Sequence, residues 1–132
     1  MNEVFGCGID LEELSRFDKY MRNVDSPLME DIFTERELAN VDGDKRVRFA
    51  VRFSCKEAFF KALGVSWTNS RISWKDIELL FSGPGLDDYQ VHLHGHAEDL
   101  LRKNEALIGE TSFHLNDGFV LFQVVLLKQD QG

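Results

Sequence analysis

Arg52 to Gly64, RFSCKEAFFKALG, is the stretch that most narrows what this chain can become. On a helix of about 100° per residue, with Glu57 at zero, Lys61 falls about 40° away and Gly64 about 20° on the other side. These positions make one narrow polar lane. Phe49, Phe53, Phe60 and Leu63 occupy one flank, and Val51, Cys55, Ala58, Phe59 and Ala62 fill the other flank and the back. A helix apolar around most of its circumference belongs inside a protein, where unpaired charges are costly. A Glu57–Lys61 pair on an open helix would stabilise it by only about 0.2–0.5 kcal/mol. That is too little to explain charges set among phenylalanines, so the lane calls for further partners. The helix is predicted from about Arg46 to Leu63, with Gly64 where a left-handed C-cap is wanted.

Before this helix, Val4–Asp10 reads as a strand, with Phe5, Cys7 and Ile9 on one face and Gly6, Gly8 and Asp10 on the other. Interior glycines weaken a strand and mark where another backbone or a ligand comes close. Leu11, Leu14, Phe17 and Met21 recur at helical spacing, which predicts a helix directly after Asp10. Asp10 then reads as its N-cap, with Glu13 completing a capping-box-like pair, and equally as a ligand-binding carboxylate at the mouth of the glycine-lined face; the two roles are not exclusive, since one carboxylate has two oxygens. Asn23–Pro27 predicts a turn and a short helix follows. Thr34 with Glu37 is a capping box for a helix from about Glu35 to Asn40.

After the central helix, Val65–Ser73 reads as a loop. Ile77, Leu79 and Phe81 alternate along a strand, Ser82–Gly85 (SGPG) is turn chemistry, and Tyr89, Val91 and Leu93 alternate along the next strand. His92, His94 and His96 either converge on a metal or form a solvated strand face, and the absence of a nearby fourth ligand favours the solvated face. Ala97–Leu107 predicts a helix closing at Gly109. Thr111–Leu115 and Phe119–Leu127 predict a hairpin turned by Asn116, Asp117 and Gly118. The expected fold is α+β: a single domain over residues 1–132, with a mainly antiparallel sheet packed around a long buried central helix.

Composition excludes several functions. There is no apolar run of bilayer length, so no membrane span is expected. The N-terminus has no basic segment followed by an apolar stretch, which predicts a cytoplasmic protein. A net charge of -8 argues against general binding to nucleic acid, which needs an excess of cations. A polyanion would have to meet the local patch of Lys45, Arg46, Arg48, Arg52, Lys56 and Lys61. Cys7 and Cys55 lack metal-site or redox spacing and read as buried thiols.

Asp10 and Glu57 supply two hard oxygen ligands from separate elements, which suits Mg²⁺ retaining water and phosphate. Lys61, Lys56 and Arg52 would add positive charge beside it, as transfer from a pyrophosphate or phosphodiester requires. No GxxxxGK[ST] or GxSxG motif points to a P-loop enzyme or a covalent nucleophile.

GID at 8–10, RFSCKEAFFKALG at 52–64 and WKDIEL at 74–79 together resemble the holo-acyl-carrier-protein synthases, the short bacterial type of 4'-phosphopantetheinyl transferase. The resemblance covers nearly the whole chain. It implies Mg²⁺-dependent transfer of 4'-phosphopantetheine from coenzyme A to a serine of an apo acyl carrier protein, with release of 3',5'-ADP. By matching position it implies Asp10 and Glu57 as metal ligands and Lys61 at the transferring phosphate. Glu57 would also take the serine proton, directly or through a water on the metal. Arg52, Lys56 and Gly64 are implied at the coenzyme A, with Ser82, Gly83 and Pro84 in a loop near its adenine. Arg16 is implied at the carrier protein, joined by Lys19 and Arg22 as the local basic patch that an acidic carrier needs on an acidic chain. A homotrimer with shared active sites is implied as well.

One motif departs from the family pattern. The last strand pair commonly carries S-x-x-H, whereas Ser112, Phe113 and His114 place the histidine one residue early. A one-residue slip reverses the strand face, and Leu115 takes the matched position. His114 is still the implied contact for the nucleotide end. The alternative is a non-catalytic module of the same fold that binds coenzyme A or a carrier protein.

Overall fold

The computed structural model of the protein describes residues 3–22, 27–66 and 68–129. Strand β1 spans Val4–Glu13, three residues past the predicted end. Its alternation does not stop at Asp10: Gly8, Asp10 and Glu12 are buried on one face, and Cys7, Ile9 and Leu11 lie on the exposed one. Asp10 is therefore a mid-strand residue paired with Phe122, and the N-cap reading is overturned. The helical spacing of Leu11 and Leu14 arises because an apolar outer strand face runs into a turn. A single 3-10 turn, Leu14–Phe17, leads into α1, Asp18–Met21.

The turn predicted at Asn23–Pro27 falls largely on residues outside those described, with Pro27 opening α2, Pro27–Ile32. Helix α3, Glu35–Ala39, has both halves of the Thr34–Glu37 capping box in place. Helix α4 spans Lys45–Leu63; Asp44 accepts the Val47 N–H at its start, and Gly64 ends it at φ 73°. Both ends follow local rules, a side-chain cap and a left-handed glycine.

Next come β2, Ile77–Phe81, and β3, Tyr89–Leu93, paired antiparallel. Helix α5 covers Gly95–Lys103 and β4 covers Ala106–Asn116. The helix predicted to reach Leu107 thus stops four residues early. Glu105 turns the chain at φ 52°, and Leu107 pairs with Leu127 of β5, Phe119–Lys128. Sheet pairing outcompetes the helical pattern there. Asp117 and Gly118 both have positive φ, as the predicted tight hairpin requires.

The strands form two sheets, β1-β5-β4 and β2-β3, all antiparallel. Helix α4 lies between them. On the larger sheet, Val120, Phe122, Val124 and Leu126 are buried facing the helix side. On α4, Phe49, Ala50, Val51, Cys55, Ala58 and Phe59 are buried with them. Complete burial of side chains such as Phe59 contributes about 1.5–3 kcal/mol each. The α4 backbone rests directly on β1: a Cβ at Gly6 would come 2.0 Å from the Ala62 carbonyl oxygen, and one at Gly8 equally close to that of Ala58. The glycine-lined face is thus filled by backbone, which brings Asp10 against the polar lane of α4.

The free edge of β2 is satisfied by side chains. Lys56 donates to the carbonyls of Ile77 and Trp74, and Arg52 donates to that of Leu79. Glu37 accepts from the Leu79 N–H, and Asn40 accepts from the Phe81 N–H and donates to the Phe81 carbonyl. Buried backbone groups need such partners, and these polar contacts bind the small sheet to α3 and α4. Cys55 is fully buried, whereas Cys7 lies exposed on the outer face of β1, correcting the expectation that both thiols are buried.

Candidate active site

Asp10 reaches the centre of α4 from β1. Its Oδ2 accepts from Ser54 Oγ at 3.0 Å and its Oδ1 accepts from Lys61 Nζ at 3.2 Å. Lys61 Nζ also donates to the Ile9 carbonyl at 3.0 Å. Lys61 keeps about half of its side chain exposed while Asp10 is almost wholly buried, so the ammonium forms the open lip of the site. Glu57 stands in the same lane, half-buried. Burial raises its pKa first, and the negative charge of Asp10 raises it further, against the pull of Lys61 and Arg16.

A third carboxylate completes the cluster. Glu12 is buried on the same face of β1 as Asp10 and takes Arg16 Nη1 on its Oε2 at 3.0 Å. Burial pushes its carboxyl up to about 7, with the charge of Asp10, a hydrogen bond to Asp10 and the charge of Glu57 adding to the rise. Ending β1 at Asp10 hides Glu12 from a sequence reading. The period-2 series Gly8, Asp10, Glu12 is the signal that reveals it. Ser54 is hidden likewise; it falls about 60° from Glu57 on the helix, close to Lys61.

The charge of Asp10 raises both Glu12 and Glu57, and Lys61 and Arg16 oppose this. A divalent cation would relieve the repulsion, so the chemistry of the donor set fits Mg²⁺. Among the described residues, no three His, Cys, Asp or Glu groups gather closely enough to hold a metal by themselves. A sparse protein donor set is what a strongly hydrated ion bound partly by phosphate oxygens would meet.

Arg52 and Lys56 do not stand beside these carboxylates. Both are buried and point about 140° and 100° away from Glu57 on the helix. Lys56 Nζ lies 2.8 Å from Glu37 Oε1, and Arg52 Nε lies 3.9 Å from Glu37 Oε2. Burial draws the Arg52 guanidinium down to about 10 and lowers Lys56 as well, while Glu37 opposes both shifts. The basic patch therefore divides into Lys45 and Arg46 at the start of α4, a buried stripe of Arg48, Arg52 and Lys56 against β2, and Lys61 in the polar lane. The angles on the helix contain this division.

Gly64 is exposed one turn past Lys61, and a Cβ there would meet nothing within 4 Å. Ser82 and Pro84 are exposed at the end of β2, and the Gly83 carbonyl accepts from Arg48. Arg48 projects about 180° from Glu57, so this loop lies on the other side of α4 from the carboxylates. His114 pairs with Leu121 across the outer face of the large sheet, and Leu115 pairs with Val120 on the α4 side. His114 thus faces away from the carboxylates of its own chain. His94 engages Glu78 at 3.0 Å.

Arg16, Lys19 and Arg22 are all exposed, and Arg16 meets Glu12 of the carboxylate cluster. With Ser15, Asp18 and Tyr20 they line an open groove of ≈ 310 Å³. Beside it, Phe17, Met29 and Phe53 help to line a small apolar hollow.

Residues 6–108 match the 4'-phosphopantetheinyl transferase superfamily. The chain is 34% identical over 102 residues to the holo-[acyl-carrier-protein] synthase of Geobacter sp. (strain M21), covering 76% of this chain and 79% of that one. It is 30% identical over 125 residues to the holo-[acyl-carrier-protein] synthase of Geobacter metallireducens, covering 93% and 97%. Its fold matches the crystal structure of a holo-(acyl-carrier-protein) synthase from Bacillus anthracis in complex with CoA (3',5'-ADP). That match has a TM-score of 0.72, 27% identity, and coverage of 96% of this chain and 98% of that one. The holo-[acyl-carrier-protein] synthase of Neisseria meningitidis shares the fold at a TM-score of 0.77, with 22% identity and coverage of 96% and 100%.

Proposed function

Because the chain belongs to the holo-[acyl-carrier-protein] synthases of the 4'-phosphopantetheinyl transferase superfamily, we infer that it transfers 4'-phosphopantetheine from coenzyme A to a serine of an apo acyl carrier protein. The observation that carries this reading to particular residues is the cluster of Asp10, Glu57 and Lys61 where β1 meets α4. In the reaction the serine oxygen forms a bond to the β-phosphorus of coenzyme A. The bond from that phosphorus to the bridging oxygen breaks, and 3',5'-ADP leaves with the electron pair.

Lys61 binds the phosphate under attack, held in place by Asp10 and the Ile9 carbonyl. Glu57 accepts the serine proton, a task suited to a carboxyl whose pKa is raised. Asp10 and Glu57 are the residues that would hold Mg²⁺, with Glu12 beside them. Bound there, the ion would supply positive charge to offset that on the transferring phosphoryl group. Ser54 fixes the rotamer of Asp10.

Carrier recognition is assigned to Arg16, Lys19 and Arg22, which offer an exposed basic groove on an otherwise acidic protein. Coenzyme A contacts are assigned to Lys61, Gly64, the Ser82–Pro84 loop and His114. A homotrimer with shared sites is part of the same reading, and two observations support it. The outer face of the large sheet exposes Ile9, Leu11 and Phe119 at 57%, 59% and 41%, an uncovered apolar surface. The Ser82–Pro84 loop and His114 both lie away from Glu57 within a protomer, as residues serving a neighbour's site would. The proposed location of the reaction is the cytoplasm.

The test is release of 3',5'-ADP from coenzyme A in the presence of apo carrier protein and Mg²⁺, with Glu57→Ala in parallel. Release by the wild type and none by the variant is expected. Tight coenzyme A binding without release would instead support a binding module.

A further inference from the structure

No motif singles out Arg48, yet it is fully buried near the start of α4. Its Nη2 donates to the Gly83 carbonyl and, at 3.4 Å, to that of Gly85. Its guanidinium lies 4.5 Å from the centre of the Phe81 ring. Its Nε and Nη1 are buried with no hydrogen-bond partner among the described residues. Buried donors left unpaired cost stability. A methionine would fill similar space without that cost, so packing alone does not account for an arginine here.

What the arginine adds is a grip on the 82–85 turn. A second loop closes on the same point. Gly43 has φ +91°, and a Cβ there would come 3.2 Å from the Pro84 carbonyl oxygen and 3.8 Å from Arg48 Nε. Gly43, Arg48 and the 82–85 backbone thus form one interlocked unit, with Ser82 and Pro84 exposed on its surface.

We propose that Arg48 is a positioning residue for the nucleotide end of coenzyme A, clamping the Gly83 and Gly85 carbonyls so that the Ser82–Pro84 surface is held in one shape. This rests on the reading that the loop contacts the nucleotide. Arg48 is fully buried, so its effect runs through the loop. It therefore acts on nucleotide affinity and leaves the chemical step alone.

The experiment measures the Kd for 3',5'-ADP and the KM for coenzyme A, together with kcat and the thermal midpoint. It compares wild type with Arg48→Met, Arg48→Lys and Ser82→Trp. Losing a hydrogen bond from a charged donor sets the scale: Arg48→Met is expected to raise both constants about ten-fold. Its kcat should stay within about two-fold, and its midpoint should be unchanged or higher, since two orphan donors are removed. Arg48→Lys keeps one donor and should recover part of the loss. Ser82→Trp should also weaken nucleotide binding.

If Ser82→Trp weakens binding but both Arg48 variants bind like wild type, the Arg48 role is wrong and the loop reading stands. If Ser82→Trp has no effect, the loop reading fails and takes the Arg48 role with it. If kcat falls in step with the midpoint while KM for coenzyme A holds, Arg48 is merely structural. Should Arg48→Met not fold, Arg48→Lys and Gly43→Ala decide the matter. Gly43→Ala presses on the Pro84 carbonyl, between the two that Arg48 holds, and must raise the KM for coenzyme A, and a wild-type KM in both would overturn the proposal.

Discussion

Lys61 Nζ is held between two oxygens of β1, Asp10 Oδ1 at 3.2 Å and the Ile9 carbonyl at 3.0 Å. A lysine that is half exposed and yet fixed at its tip is aimed, and it is aimed at the space beside Glu57. Lys61→Met is expected to lower kcat about 100-fold, the scale of removing one charge-stabilising donor. Stability should fall by about 1–3 kcal/mol, because Asp10 is almost wholly buried and keeps Ser54 Oγ as a partner when Lys61 is removed. Steady-state kinetics with a carrier protein, alongside a melting curve, checks both. Unchanged kcat would refute the assigned role.

The carboxylate cluster predicts opposite pH trends with and without a divalent cation. Burial and neighbouring charge raise Glu12 to about 7, and Glu57 is raised as well, from an ordinary value of 4.5. Between those values the folded state binds more protons than the unfolded chain. The cluster's contribution to stability is thus fully present below about pH 4.5 and is lost as pH rises through 7. Cation binding needs deprotonated ligands, so the stabilisation by Mg²⁺ should grow from pH 6 to pH 8. Melting curves at both pH values measure this, and Glu12→Gln should shrink the difference. An Mg²⁺ shift independent of pH would count against Glu12 as a member of the site.

Lys56 is expected to matter for folding and not for coenzyme A. Its ammonium sits 2.8 Å from Glu37, both fully buried. Removing one partner of such a pair leaves an uncompensated buried charge, so Glu37→Gln should cost about 3–5 kcal/mol. The joint replacement of Lys56 by Met and Glu37 by Leu should recover much of that. Chemical denaturation gives the energies. The KM for coenzyme A, taken where the double variant is folded, should match wild type, and a large rise would restore Lys56 to the substrate site.

Two glycines separate backbone contact from loop shape. Gly8→Ala sets a Cβ 2.0 Å from the Ala58 carbonyl oxygen, whereas a Cβ at Gly83 meets nothing within 4 Å. Gly8→Ala should cost at least the 1–3 kcal/mol typical of roughly one excess methyl in a packed core. Gly83→Ala should melt like wild type. Equal melting temperatures for the two would mean that α4 does not rest on β1.

The outer sheet face predicts assembly. Replacing Ile9 and Leu11 with lysine puts charge on a face that no element among the described residues covers and should leave the chain folded. If copies of the chain cover that face, the double variant elutes as a monomer and loses transfer activity. Unchanged size by light scattering would remove the trimer from the account.

Features governed by neighbours in sequence are legible from the residues themselves. The Thr34–Glu37 capping box, the Gly64 stop and the Asp117–Gly118 turn each depend on a few adjacent side chains, which suffice to locate them. Long-range competition is harder to read. Leu11 and Leu14 look helical, although pairing of β1 with β5 carries the strand to Glu13. Leu107 looks like the end of a helix, although it belongs to β4. In the site, Asp10, Glu57 and Lys61 can be brought together from sequence because one lies on a glycine-lined strand and two on one helix lane. Glu12 escapes because the strand that carries it reads as too short. Arg52 and Lys56 are drawn to the site when charge is counted along the sequence rather than around the helix, where their partners Glu37, Leu79 and Ile77 lie elsewhere.

By this arrangement of Asp10, Glu57 and Lys61 the enzyme moves phosphopantetheine onto a carrier serine. The most direct test is the intact mass of an apo acyl carrier protein after incubation with the enzyme, coenzyme A and Mg²⁺. A gain of one phosphopantetheine group, absent when the carrier serine is replaced by alanine, is the predicted result. No gain on any of several apo carriers, with the protein shown to be folded and to bind coenzyme A, would contradict it.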